Sequence, residues 1–170
     1  LNLISAQDAW NYTIGDSNIV IGISDQNYEI THEELVGSVV YYDPSNVAPS
    51  GHGTAVSIIA AGNTDNLNFK SSIGYNSSLG LYRMNYNEVL SASYNGSQII
   101  NLSWTSDCEF IIYQQMAIDE VYNNGSFIVA AAGNGATCGG PENLVYPSAY
   151  DNVFSVTSIG EFDNHESTIG

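Results

Sequence analysis

The strongest constraint on this chain is a set of five short apolar runs, residues 19–23, 79–82, 99–102, 127–131 and 153–156. They are rich in β-branched residues and do not strictly alternate with polar ones, which is the pattern of strands buried on both faces of a parallel sheet. Helix candidates lie between them: 52–61 closing near Gly62, 87–94 before Asn95-Gly96, and 109–123 ending at Asn124-Gly125, a glycine stop signal. Strands alternating with helices predict an α/β fold, doubly wound, with a mostly parallel sheet, helices on both faces and right-handed crossovers. At 170 residues the chain has the length of one domain or a large piece of one, without repeats or linkers.

In such sheets, functional groups gather where strands end at their carboxyl edge. That rule selects Asp25 after the first run, 101–105 after the third, and Gly133-Asn134-Gly135 after the fourth. A lone aspartate there is most simply a turn cap. His52 changes the balance: Gly51-His52-Gly53-Thr54 opens a helix between two glycines, leaving the imidazole unobstructed beside the same rim. Asn134 follows a run of small residues that lets backbone approach a ligand, and its amide can donate to a developing oxyanion.

Charge limits the partners. Eighteen Asp and Glu face one lysine (Lys70) and one arginine (Arg83), a formal net charge of −16. So acidic a chain repels phosphate backbones, which excludes nucleic acid, and no run approaches the ~18 apolar residues of a membrane span. Neither GxGxxG nor a P-loop occurs, so a nucleotide-binding domain has no motif to stand on. Cys108 and Cys138 fit no zinc spacing and no CxxC motif. A disulfide between them is expected, with two free thiols as the alternative. Paired cysteines and few lysines point to a secreted, periplasmic or cell-surface setting.

The order Ile-Gly-Ile-Ser-Asp25, Gly51-His52-Gly53-Thr54-Ala55-Val56, Ile100-Asn101-Leu102-Ser103, Ala131-Ala132-Gly133-Asn134 and Tyr146-Pro147-Ser148 resembles that of subtilisin-like serine proteases over nearly the whole chain. The resemblance implies a serine endopeptidase that hydrolyses peptide bonds through an acyl-enzyme. Asp25 would orient His52, His52 would be the general base, and Asn134 would help form the oxyanion hole. Ser103, Trp104 and Thr105 with Ala131, Ala132 and Gly133 would wall the pocket for the residue preceding the scissile bond, and backbone there would pair with an extended peptide. The substrate is then a peptide or protein, and no cofactor is required.

The resemblance also has departures. No Gly-Thr-Ser nucleophile motif occurs, and Ser167 lacks the glycine elbow and following helix. The expectation is therefore that residues 1–170 form the N-terminal part of one catalytic domain, completed by a C-terminal serine-bearing segment or chain. The alternative is an inactive relative that serves as a peptide-binding or assembly module. Asp25-Gln26-Asn27 puts an asparagine where the family has glycine, acceptable because Asn tolerates left-handed backbone. The segment after Arg83 lacks a Gly-rich strand that in the family lines the peptide groove. Glu34 matches a carboxylate that ligates calcium in some relatives, with Asn63, Asp65 and Asn66 nearby in sequence, but a solvated acidic loop is the favoured reading. His32 is assigned to a turn contact and His165 to an exposed terminal segment. The sequons at Asn11, Asn76, Asn95, Asn101 and Asn124 are those an Asn-rich chain contains by chance, and Asn101 falls on a buried strand.

Overall fold

The computed structural model describes residues 4–49, 51–68, 71–140 and 142–159. The described elements, in chain order, are α1 (Ala6–Trp10), β1 (Val20–Asp25), β2 (Val39–Tyr42), α2 (His52–Ala61), β3 (Ser78–Arg83), α3 (Tyr86–Tyr94), β4 (Ser97–Leu102), α4 (Ile112–Asn123), β5 (Phe127–Ala131) and β6 (Val153–Val156), with 3₁₀ turns at Pro44–Asn46 and Thr137–Gly139. The six strands form one sheet in the order β2-β3-β1-β4-β5-β6, and every pairing is parallel. The order reverses beside β1: β3 lies on one side of it and β4 on the other, so the crevice between the ends of β1 and β4 is the topological switch point where such sheets bind ligands.

Alternation along the strands divides the core in two. Tyr82, Ile100, Leu102, Ile128 and Ala130 pack beneath α3 and α4 through Val89, Ala92, Ile118 and Val121. Ile23, Leu79 and Leu81 pack with Tyr28, Leu35 and Ala61 at the end of α2. Helices thus pack on both faces, as expected of the doubly wound class, with α2 on one and α3 and α4 on the other. Each fully buried Leu or Ile contributes roughly 1.5–3 kcal/mol.

Three details differ from the sequence expectations. β2 is an additional edge strand with three of its four residues exposed, although its Val-Val-Tyr-Tyr composition favours a strand. α4 begins at Ile112, not residue 109, because the approach to it is held extended: Ser106 N–H donates to the Tyr146 carbonyl at 2.8 Å, Tyr146 N–H to that of Asp107 at 3.1 Å, and Ile111 N–H to the Tyr150 hydroxyl at 3.3 Å. Burial on both faces holds at the centre of the sheet, but Phe127 is 52% and Phe154 59% exposed, because β5 and β6 lie beyond the reach of α2. α3 starts on a side-chain N-cap, with Asn85 Oδ1 accepting from the Glu88 N–H at 3.0 Å. The helix candidate 52–61 coincides with α2.

Candidate active site

β1 delivers Asp25 to the rim with its side chain 2% exposed. There Oδ1 accepts from the Gln26 N–H at 2.7 Å, and Oδ2 lies 2.8 Å from His52 Nδ1 at the start of α2. The contact depends on both glycines beside His52. A Cβ at position 53 would stand 2.6 Å from the Asn27 carbonyl oxygen, 2.7 Å from the Tyr28 ring and 3.0 Å from Asp25 Cβ, and one at position 51 would stand 2.8 Å from that same oxygen. The glycines therefore provide the surface on which α2 docks against 25–28, beyond leaving the ring unobstructed. Asn27, for its part, is not among the described residues with positive φ, so its left-handed tolerance is not used.

Behind the pair, the Tyr28 hydroxyl is shared between the Ile23 carbonyl at 2.6 Å and the Tyr82 carbonyl at 2.8 Å. Burial, helped by the Asp25 charge, pushes this phenol well above its ordinary range, so it remains a donor. Asn46, which the sequence did not single out, donates from Nδ2 to the Asp25 carbonyl at 3.2 Å. Its turn is capped by Asp43, whose carboxyl is held low by hydrogen bonds from Ser45 and by Arg83.

The His52 side chain is 60% exposed. With Nδ1–H donating to a buried carboxylate, the neutral ring presents Nε2 as an acceptor on its open side, the arrangement of a general base. A cavity of about 390 Å³ is bordered by Asp25, His52, Met84, Ser103, Trp104 and Thr105. Met84 is a further site residue that no sequence motif marked. Ser103 also borders a second cavity of about 300 Å³, formed with Asn101 and with Ala131, Ala132, Gly133 and Asn134 at the end of β5. The Trp104 indole points into the core against Tyr86, its Nε1–H donating to Ser24 Oγ at 3.1 Å, which ties the end of β4 to β1. Cys108 and Cys138 form a disulfide.

A larger hollow of about 790 Å³ lies between α2 and the sheet, lined mainly by apolar groups such as Ile21, Val56, Ile99, Val129 and Val156. It holds no acid or base. Glu34 is fully buried rather than part of a solvated loop: Oε1 accepts from Asn66 Nδ2 at 2.9 Å and Oε2 has no hydrogen-bond partner. His32 does take a turn contact, its Nδ1 accepting from the Glu34 N–H at 3.2 Å. His165 and Ser167 lie outside the described residues.

The chain is 30% identical over 174 positions to a thermophilic serine proteinase of Bacillus sp. (strain AK1), covering 91% of this chain and 42% of that protein. It is 33% identical over 182 positions to the halolysin-like extracellular serine protease Nep of Natrialba magadii, covering 93% of this chain and 33% of that protein. The chain thus spans between a third and a half of these two relatives. Among solved structures, the prenylagaramide maturation protease PagA superposes with a TM-score of 0.81 at 21% identity, over 97% of this chain and 62% of that one. The family model described as Peptidase_S8, subtilase family, matches residues 16–168, and the chain belongs to that family.

Proposed function

We propose that this chain carries the base and the oxyanion donor of a subtilisin-type serine endopeptidase. The observation that supports this most is the 2.8 Å contact between His52 Nδ1 and the buried Asp25 carboxylate, with Nε2 on the open side of the ring. In the reaction, Nε2 takes the proton of a serine hydroxyl as its oxygen attacks the peptide carbonyl carbon. Asp25 fixes the tautomer and stabilises the imidazolium. The Asn134 amide donates to the oxyanion, which carries charge only in the transition state and the intermediate. The imidazolium then protonates the leaving amine, and water hydrolyses the acyl-enzyme by the same sequence. Ser103 and 131–133 receive the side chain that precedes the scissile bond.

The serine belongs to a segment that follows these residues in the complete protein. The apolar hollow between α2 and the sheet supports this, since a parallel sheet face is ordinarily covered and a helix carrying the nucleophile would cover it. Secretion is supported by the extracellular relative and by the disulfide. Among the described residues no helix is long and apolar enough to cross a membrane.

Calcium stays outside the mechanism. The unpartnered Glu34 Oε2 favours a hard cation, whereas the amide oxygens of Asn63 and Asn66 accept from Ser38 and from the Asn68 N–H, so these three side chains offer one oxygen without a hydrogen bond against the ~6 ligands calcium takes. The deciding measurement is the melting temperature in calcium against a chelator.

The function is tested by treating the protein expressed from its complete gene with a serine-directed phosphonylating probe. Labelling that disappears in His52→Ala is the expected result. A folded protein that takes no label and hydrolyses no peptide overturns the proposal in favour of the inactive peptide-binding relative.

A further inference from the structure

The Cys108–Cys138 bond joins the two segments that flank the candidate pocket. Cys108 lies five residues beyond Ser103 and Cys138 four beyond Asn134. The two segments are held very differently. The first is anchored: Trp104 donates to Ser24, Ser106 and Asp107 bridge to Tyr146, and Gln114 Nε2 donates to the Asp107 carboxylate at 2.9 Å. The second is not. Gly133, Gly135, Gly139 and Gly140 all have positive φ, as does Cys138 itself at 59°. Its described hydrogen bonds are local: Asn134 N–H to Thr137 Oγ1, Ala136 N–H to the Asn134 carbonyl, Gly139 N–H to that of Ala136, and Asn143 Nδ2 to that of Cys138. A glycine-rich loop with local bonds alone has little to fix it in one place, and the covalent link ties it to an anchored neighbour. Cys108 is exposed, so the bond is within reach of a thiol in solution.

We propose that this disulfide is a thiol-sensitive positioning device: it fixes the loop that carries Asn134, and its reduction releases that loop while the sheet and the His52–Asp25 pair stay in place. In the chemical step, the thiolate of an external dithiol attacks one sulfur and forms a mixed disulfide. The second thiol of the reductant then closes on the first. The reductant leaves as its own disulfide, having given up two electrons, and both protein cysteines are left as thiols. Oxidation by the reverse exchange restores the link. The effect on turnover rests on the proposed peptidase reading; the effect on the loop does not.

The experiment compares hydrogen exchange and peptide turnover of the protein from its complete gene when oxidised, after a mild dithiol, after reoxidation, and as the double variant Cys108→Ser/Cys138→Ser. The expected result is exchange at 133–140 faster by about ten-fold or more on reduction, with protection of β1 and β5 unchanged. Alongside it, kcat falls about ten-fold or more, by a larger factor than KM rises, because Asn134 acts in the transition state while only Gly133 of the rest of the loop borders the pocket. Reoxidation reverses both effects, and the double variant no longer responds to the dithiol. Unchanged exchange at 133–140, or loss of protection in β1 and β5 together with the loop, overturns the proposal, as does a loosened loop with unaltered kcat. If the oxidised protein turns over no peptide at all, the peptidase reading fails, and the exchange data still decide whether the bond positions the loop. The wild-type protein answers the question even if the double variant does not fold.

Discussion

Gly53→Ala sets two physical effects against each other. By helix propensity alone, replacing a glycine near the start of α2 with alanine stabilises by up to ~1 kcal/mol. Packing predicts the opposite. The new methyl would meet the Asn27 carbonyl oxygen at 2.6 Å, where ordinary contact begins at 3.4 Å, so helix and loop must separate by about 0.8 Å. Asp25 Cβ, at 3.0 Å from the same point, is crowded by the new methyl as well. The same displacement applied to the 2.8 Å His52–Asp25 contact carries it to about 3.6 Å, beyond hydrogen bonding. The expected outcome is a net loss of about 1–3 kcal/mol in urea unfolding, loss of the downfield Nδ1–H resonance of His52, and a fall of about 10² in kcat/KM in the protein from the complete gene. A variant at least as stable as the parent, with that resonance intact, would refute the packing argument and leave propensity as the dominant effect.

Asp25→Asn leaves the shape of the site but removes the orienting charge, so kcat should fall about 10⁴-fold, the size seen for the same change in another serine-protease triad, with the far-ultraviolet dichroism unaltered. Tyr28 gives a pH dependence. Its folded pKa is raised above the ordinary value of 10.0, so its contribution is complete below pH 10 and is lost as pH rises beyond it, by up to about 1.4 kcal/mol per unit. Tyr28→Phe should be less stable by about 1–3 kcal/mol at neutral pH yet decline less steeply from pH 10 to 11; parallel denaturation profiles would contradict the assignment. With a net charge of −16, the melting temperature should rise as sodium chloride increases from roughly 0.05 to 1 M, where the screening length shortens to about 3 Å. A flat or falling profile would show that self-repulsion does not limit stability.

What was legible in the sequence follows from how local each cause is. The runs that became β1, β3 and β4 are buried by their own composition, and α2 ends in a run of small residues closed by Gly62, so both could be read from neighbouring residues. Asp25, His52 and Asn134 stood out because strand ends and glycines flank them. The hidden part depended on residues distant in sequence. Nothing near Ile111 indicates that Tyr146 will bridge to 106–107 and that the helix will start only at Ile112. Nothing beside Asn46 announces that its amide will reach the Asp25 carbonyl. The role of Gly53 was half legible: the residue was conspicuous, but its cause, the Asn27 carbonyl, becomes visible only when α2 is docked. Glu34 was placed in solvent because an acidic sequence gives no sign of which carboxylate a loop will enclose.

The adjacency of β1 and β4 also bears on how the site fails on warming. Asp25 sits at the end of a central strand paired on both sides, whereas Asn134 hangs on a loop beyond β5. Opening such a loop takes far less free energy than pulling a central strand from its ladder. On the proposed peptidase reading, turnover should therefore decline at temperatures where the strands are still fully protected, because the loop that carries Asn134 opens first.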